Sequence, residues 1–484
     1  MPVARKIAYN VVLNSFFKVF STVALSLLSI RYVTAYLGQD GFGKYATVLA
    51  FFAFFSAILD LGLGPVTARE ISREGADEKM ILGNVLTLRL IASSLLLLIA
   101  PLSLLIFRYP PELEIGIMIA ALTTLFSTAS LVLNAIFQKY LAMDRVAMIE
   151  FAGKVLQLAL ILIIVRIDAG FLAVTATLLI SLSFNAALAY FFSRHYVSFR
   201  LRLDLGYWKR FLVESLPMGA TAIITFAYFK FDTILLSLLQ SSADVGIYNV
   251  AYKIIENLVF FPAMVAGLIL PLLSRFIYTD RARFEEIANK TFKVFILIVL
   301  PLMVGTFFLA PQIIAIVSGG SFALSVPVLR ILIFALACIF FGQYFNMLLI
   351  VSNAQRKLMT ALLFVAVFNI GLNLFFIPRY SYIGSAFTSV ATELLVVILT
   401  SILVWRHVRF FPSLRHAEKA LFSAAVMALA LFFLAPVSFL LAGLIGTLLY
   451  AGCLWLTRAV SLSELQLLFS NRDSIPEPLE NPTL

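Results

Sequence analysis

The chain has 484 residues, of which 62% are apolar and only 13% charged, and its formal net charge is +11. Roughly 25% of the residues in an ordinary soluble domain are charged, so this composition excludes a soluble globular protein. Apolar runs of about 20 residues recur along the sequence, each long enough to cross a hydrocarbon core about 30 Å thick. The alternation typical of barrel strands is missing, and we therefore expect an all-α polytopic membrane protein.

The apolar runs predict about fourteen transmembrane helices, at 10–36, 43–66, 80–107, 114–138, 146–167, 170–193, 211–238, 246–272, 287–310, 325–350, 358–377, 382–405, 418–438 and 440–458. Lysine and arginine concentrate in every second connecting segment, for example Arg194 to Arg210 and Arg406 to Lys419. This positive-inside distribution predicts that both termini are cytoplasmic. Topology and anionic membrane lipid explain the basic loops, so we expect no nucleic-acid partner.

Charged side chains inside the first three spans are the first candidates for a site. Asn14 and Lys18 lie four residues apart on one face of span 1. Lys18 lies near mid-depth, which favours lining of an internal cavity, the alternative being a structural pair with an acid on a neighbouring helix. Asp60 in span 2 and Arg89 in span 3 lie at similar depth and are expected to form a bridge between these helices. A cation near the bilayer centre costs about 2.5–3.5 kcal/mol on insertion scales, so such residues are rare without a polar surrounding.

Spans 5 and 7 add further cations. Lys154 in span 5 follows Glu150 by four residues, the favourable helical orientation for an ion pair, so a structural pair competes with a binding site there. In span 7, Asp232 belongs to a polar face. Lys230 falls on the opposite face of a regular helix, which predicts either a cavity role or a side chain that extends towards the outer membrane surface.

Spans 8 and 12 complete the set. Lys253 and Glu256 are three residues apart in span 8 and predict either a self-neutralising pair or part of a cargo site. Glu393 in span 12 lies near mid-depth with no cation on its own helix, which indicates a role in coupling to a proton or sodium ion. The excess of cations over acids across all these spans indicates an anionic cargo.

The chain contains a weak internal repeat. A shift of about 203 residues aligns Gly43 with Gly246 and Tyr45 with Tyr248, in agreement with the predicted span boundaries. We therefore expect two six-helix lobes in parallel orientation, with the cargo site between them. The predicted domains are an N-lobe over 1–193, a basic cytoplasmic linker over 194–210, a C-lobe over 211–408, two further helices over 409–460 and a cytoplasmic tail over 461–484.

The sequence contains no recognisable motif of catalytic residues. No phosphate-binding glycine loop, cysteine–histidine metal cluster or carboxylate pair lies in a polar segment, and the two cysteines fall within predicted spans. We expect no enzyme activity, no cofactor and no metal site. Without a nucleotide-binding domain, active transport would draw on an ion gradient, with H+ or Na+ as the coupling ion.

Three motifs carry a resemblance to a known family. They are the runs from Tyr36 to Tyr45, from Asp60 to Pro65 and from Ala243 to Tyr252. With these motifs and the six-plus-six-plus-two layout, the chain resembles the O-antigen-type polysaccharide-lipid flippases of the multidrug/oligosaccharidyl-lipid/polysaccharide exporter superfamily. The resemblance covers nearly the whole chain and implies a V-shaped, two-lobed transporter with a cationic central cavity.

The resemblance also implies a cargo and a setting. The cargo would be a polyprenyl-diphosphate-linked oligosaccharide, moved from the cytoplasmic to the outer leaflet of the inner or plasma membrane by ion-coupled alternating access, for example antiport. Partners would be membrane lipid and the polysaccharide polymerase and chain-length machinery. The side chains expected to bind cargo are Asn14, Lys18, Arg89, Lys154, Lys230 and Lys253, and those expected to balance charge or bind the coupling ion are Asp60, Asp232, Glu256 and Glu393.

Four alternatives remain open at this point. A lipid II flippase would share the fourteen spans and the basic cavity. A drug/cation exporter of the same superfamily usually has twelve spans and an acidic site in the first helix, where this chain has Lys18. A glycan polymerase or ligase would carry a large outer loop with arginine and histidine, and the predicted outer loops are short and histidine-free. A passive channel fits poorly with the duplication.

Overall fold

The described part of the molecule is a set of fifteen α-helices. The computed structural model describes residues 2–106, 109–415, 417–434 and 438–459, and it describes side chains in these ranges except at 2–22, 102–106, 217, 218, 221 and 222. The helices are α1 Pro2–Asp60, α2 Leu63–Ile71, α3 Glu78–Ile106, α4 Pro111–Lys139, α5 Met143–Ile167, α6 Gly170–Ser193, α7 Leu205–Phe229, α8 Phe231–Leu239, α9 Ser242–Leu258, α10 Phe260–Phe276, α11 Arg281–Ser318, α12 Ser325–Val351, α13 Gln355–His407, α14 Ala417–Leu434 and α15 Phe439–Leu456.

The predicted all-α membrane class is confirmed. Within the described ranges there is no β-strand, and eleven helical segments are long and apolar enough to cross a bilayer. Helices are the structure expected of such a chain because they satisfy every backbone hydrogen bond internally where water is absent. The predicted count of about fourteen spans and the orientation of the termini stay predictions.

At two places where a loop between spans was predicted, the structure has a helix interrupted at a single residue. Spans 1 and 2 belong to the single 59-residue helix α1, interrupted only at Gly38, where φ is 66° and ψ is −168°. Spans 11 and 12 belong to the 53-residue helix α13, interrupted at Ser381, where φ is 48°. One left-handed residue is enough to redirect a helix, and glycine adopts this conformation without a Cβ penalty. The connections are therefore much tighter than sequence patterning indicated.

In three predicted spans the helix is interrupted within the apolar segment. The break after α1 lies at Leu61 and Gly62, both with positive φ (39° and 72°), directly before the Gly64-Pro65 pair. The break between α7 and α8 lies at Lys230, and that between α9 and α10 at Val259. Pro262 follows the last break and has no N–H to donate to the carbonyl four residues earlier, which explains why the helix does not continue through this point.

The linker between the predicted lobes packs against α3. Val197, Tyr207 and Phe211 are buried in an apolar core built mainly by α2, α3 and α4. The backbone N–H of Asp204 donates to Asn84 Oδ1 at 2.9 Å, and Trp208 Nε1 donates to the Asn84 carbonyl at 3.1 Å. The start of α7 is therefore held by the N-terminal half of the chain.

The glycines that the repeat aligns lie against each other. A Cβ on Gly43 of α1 would lie 1.6 Å from the Ser242 carbonyl oxygen, and one on Gly246 of α9 would lie 2.2 Å from the Gln39 carbonyl oxygen. Small residues let two helix backbones approach this closely. Next to them the rings of Phe42 and Phe322 meet edge to face at 5.9 Å. The backbones of α1 and α9 are thus in direct contact at the end predicted to face outside.

The described chain forms two compact units. The first comprises the described residues up to Leu270 together with Pro311–Arg409, and the second comprises Pro271–Ala310 and the described residues from Phe410 onwards. In the second unit α14 packs against α15, Ser413 N–H donates to Asn289 Oδ1 at 2.7 Å, and the Tyr450 hydroxyl donates to the Leu297 carbonyl at 3.1 Å. The predicted division into an N-lobe, a linker, a C-lobe, two further helices and a tail stays a prediction.

Candidate functional site

A cavity of about 290 Å³ in the first unit brings together side chains from both predicted halves. We call it the lysine cavity, because Lys154, Lys230 and Lys253 line it together with Glu256. The walls come from α1, α5, α6, α8 and α9. Its other polar lining residues are Ser26, Ser29, Tyr45, Gln157, Thr233 and Asn249.

Glu256 lies between two of the three lysines. Its carboxylate accepts a hydrogen bond from Lys230 Nζ at 2.7 Å and from Lys253 Nζ at 2.8 Å. Lys230 also lies over the ring of Tyr252, with Nζ 4.8 Å from the centroid, which gives a cation–π contact. Lys154 Nζ is 3.5 Å from Gln157 Oε1, at the outer limit of hydrogen-bond distance. The four charges sum to +2, so the cavity is suited to an anion.

The break between α7 and α8 explains the position of Lys230. The sequence left two interpretations of Lys230 open, a cavity role or a side chain extended towards the outer membrane surface, and Lys230 lines the cavity. Lys230 has φ −129°, far from the helical value, so the helix phase changes at this residue. Its ammonium group therefore reaches Glu256 inside the bundle.

A second cavity of about 210 Å³ shares Lys230 and Glu256 with the lysine cavity. We call it the acid cavity, because Asp232 and Glu393 line it, and both are at least nine-tenths buried. The Asp232 carboxylate accepts hydrogen bonds from the Tyr248 hydroxyl and from the Thr233 backbone N–H. Among the described residues no cation lies within ion-pair distance of Glu393. Lys230 and Glu256 line both cavities.

Asp60 and Arg89 form the predicted bridge between helices, away from the lysines. Arg89 Nη2 donates to Asp60 Oδ1 at 2.8 Å, and Arg89 is almost completely buried. The buried Nε and Nη1 atoms of Arg89 have no hydrogen-bond partner within the described structure. Neither Asp60 nor Arg89 is among the described residues that line the two cavities. Among the described cargo candidates, Arg89 therefore lies apart from Lys154, Lys230 and Lys253.

Other sequence candidates have mixed outcomes. The pair between Lys253 and Glu256 is present, but it is part of a three-residue cluster and not self-contained. Among the described side chains, Glu150 makes no ion pair with Lys154. Asn14 and Lys18 lie on α1 but outside the described side chains, so their proposed cavity role stays a prediction.

Several lining residues were missed by sequence reasoning. Ser26 and Ser29 on α1 line the lysine cavity, and their spacing of three residues on one helix face was the available signal. Tyr252 was noted only as part of a motif, although its ring contacts Lys230. Within the described part of the chain, no three His, Cys, Asp or Glu side chains come together as metal ligands.

Comparisons with known proteins agree on family and fold. The profile of the family described as "Polysaccharide biosynthesis protein" matches residues 5–277. A protein of Haloferax volcanii described as "Probable flippase AglR" is 27% identical over 215 residues, which cover 43% of this chain and 44% of that protein. This alignment therefore spans less than half the length of that relative.

Solved structures share the architecture at low sequence identity. The inward closed conformation of the lipid II flippase MurJ superposes with a TM-score of 0.76 at 16% identity, covering 92% of this chain and 98% of that one. An inward-facing multidrug resistance transporter of the MATE family superposes with a TM-score of 0.62 at 16% identity, covering 80% and 96%. Both comparisons concern the fold alone.

Proposed function

This chain belongs to the polysaccharide biosynthesis protein family, and we propose that it is a flippase for a polyprenyl-diphosphate-linked oligosaccharide. The cargo would move from the cytoplasmic to the outer leaflet of the inner or plasma membrane, with both termini of the chain in the cytoplasm. The observation that carries the proposal is the lysine cavity, which is lined by residues from both predicted halves and whose four charged side chains sum to +2. The description of the Haloferax relative as a probable flippase supports the same function.

Each part of the cavity has a counterpart in this cargo. A diphosphate diester carries two negative charges and several acceptor oxygens, and ammonium groups in a partly buried cavity bind such oxygens through charge-assisted hydrogen bonds. The serine, threonine, asparagine and glutamine side chains of the lining can donate to and accept from sugar hydroxyls. Membrane lipid and a polysaccharide polymerase with its chain-length machinery would be the partners in the membrane.

The acid cavity is the proposed coupling site. Asp232 and Glu393 are buried acids within a membrane protein, a setting that marks ion or proton pathways. We assign H+ or Na+ as the coupling ion and exchange of that ion for cargo as the mode of transport. No cofactor enters this mechanism, and transport without a catalytic step is expected.

A cation exporter is the second candidate, because the acid cavity suits a cationic drug. The lysines argue against it, since a cation entering beside Asp232 would also face Lys230. The cargo of a lipid II flippase has the same polyprenyl-diphosphate group and differs in the saccharide portion attached to it. Flipping assays with both lipid-linked glycans distinguish these two cargos.

Replacement of Lys253 by glutamine tests the proposal. We expect Lys253→Gln to lose transport of a fluorescent polyprenyl-diphosphate saccharide in proteoliposomes, and to lose the thermal stabilisation that this lipid gives the purified wild type. A ligand that binds only the folded state stabilises it by about 2.7 kcal/mol at a hundredfold excess over its Kd.

Lys44→Gln is the matched control. Lys44 is as buried as Lys253 and also makes ion pairs, with Asp40 and Glu112, but it is not among the described residues lining either cavity. This control should transport normally. Undiminished transport in Lys253→Gln, or stabilisation of the wild type only by a cationic amphiphile, would overturn the proposed cargo.

A further inference from the structure

Glu256 occupies the position that an anionic cargo would need. Its carboxylate bridges Lys230 and Lys253, at 2.7 and 2.8 Å, and all three side chains line the lysine cavity. The Glu256 side chain is 38% exposed, whereas the two lysine side chains are 22% and 21% exposed. Glu256 is therefore the most accessible of these three side chains.

We propose that Glu256 is a displaceable counter-ion that sets a charge threshold for cargo entry; this inference rests on the proposed flippase function. An anion that bridges Lys230 and Lys253 competes with the Glu256 carboxylate, which already accepts a hydrogen bond from each ammonium group. The displaced carboxylate stays beside the cluster and repels the incoming anion. Displacement costs every anion the same two Lys–Glu256 contacts, whereas the attraction of the positively charged cavity grows with the charge of the anion.

A diphosphate overcomes this competition and a single phosphate diester does not. The diphosphate brings two negative charges to a cluster of three lysines, so its Coulomb attraction is about twice that of a monoanion at the same distance. Phospholipids with one negative charge are far more abundant in a bilayer than a lipid-linked intermediate. Specificity against an abundant competitor often requires an element that opposes its binding, and Glu256 provides that element here.

Glu256→Gln removes the competing charge while keeping the shape of the side chain. We expect the full-length variant to bind a farnesyl-diphosphate-linked sugar roughly tenfold tighter than the wild type in nanodiscs of phosphatidylcholine. When 30% of the lipid is replaced by phosphatidylglycerol, the apparent affinity of the variant should fall severalfold, because the monoanionic headgroup now competes. The apparent affinity of the wild type should stay unchanged.

Two further variants keep the test decisive. Glu150→Gln removes an exposed acid on α5 near Lys154 that makes no ion pair with it among the described side chains, and it should behave as wild type. Glu256→Asp retains the charge on a side chain one methylene shorter, which weakens the bridge to one lysine, and it should give an intermediate affinity. This second variant carries the test if the glutamine variant does not fold.

The outcomes separate this inference from the proposed function. If the wild type and Glu256→Gln bind the diphosphate sugar equally, or if phosphatidylglycerol competes equally in both, the threshold role of Glu256 is refuted while the flippase proposal stands. The same holds if Glu150→Gln reproduces the gain, since bulk charge would then explain it. If the wild type binds no diphosphate sugar in either nanodisc, both proposals fail.

Discussion

The contact between α1 and α9 at Gly43 and Gly246 leads to a quantitative prediction. An alanine Cβ at position 43 would lie 1.6 Å from the Ser242 carbonyl oxygen and 2.9 Å from the Gly246 nitrogen. Both neighbours are backbone atoms, so no side-chain rotation relieves the overlap. Real Cβ atoms essentially never approach closer than 3.0 Å, and the two helices must therefore separate by at least about 1.4 Å.

The expected loss of stability follows from this separation. Forcing an extra methyl group into a well-packed contact costs about 1–3 kcal/mol. Alanine is favoured over glycine in a helix by about 1 kcal/mol in water, but helices persist in the unfolded state of a membrane protein because lipid offers no other backbone partners. The helix-propensity gain of alanine therefore largely cancels, and we expect Gly43→Ala to lose about 2 kcal/mol of stability, or roughly 2 °C in Tm.

The assay is thermal unfolding of the purified protein in one detergent, with Gly371→Ala as control. Gly371 lies inside α13, and a Cβ there would meet no atom within 4 Å, so this variant should unfold as wild type. Gly246→Ala should resemble Gly43→Ala, and the double variant should lose less than the sum, because the helices are already apart. A Gly43→Ala protein with the Tm of the Gly371→Ala control would refute the close contact.

Two further predictions concern acids in the bundle. Asp60→Asn should destabilise the protein by about 2 kcal/mol. This is less than the 3–5 kcal/mol typical of breaking a fully buried ion pair, because Asp60 is partly exposed. Adding Arg89→Gln should restore part of the lost stability, and a double variant that shows no recovery in thermal unfolding would argue against the pair. Glu393→Gln should abolish the dependence of transport on an imposed proton or sodium gradient, measured in proteoliposomes with each gradient separately; an unchanged dependence would exclude Glu393 from coupling.

Much of the architecture could be predicted from the sequence, because composition and run length are direct measures of membrane insertion. The all-α membrane class and the family were predicted correctly. The ion pairs of Arg89 with Asp60 and of Lys253 with Glu256 were also predicted, since depth and helical spacing limit which charges can meet. In each case the deciding interaction is local, or is set by position along the membrane normal.

The grouping of the charged side chains in the lysine cavity became visible only in the tertiary structure. A regular helix would place Lys230 on the wrong face, and only the break between α7 and α8 turns it towards Glu256. The sequence indicated charged residues in separate spans, but it could not show that Lys154, Lys230 and Lys253 share one cavity while Arg89 lies elsewhere. The physical reason is that hydropathy fixes which segments enter the bilayer and roughly how deep each residue lies, whereas rotation about each helix axis and the choice of neighbours are set by close packing between helices.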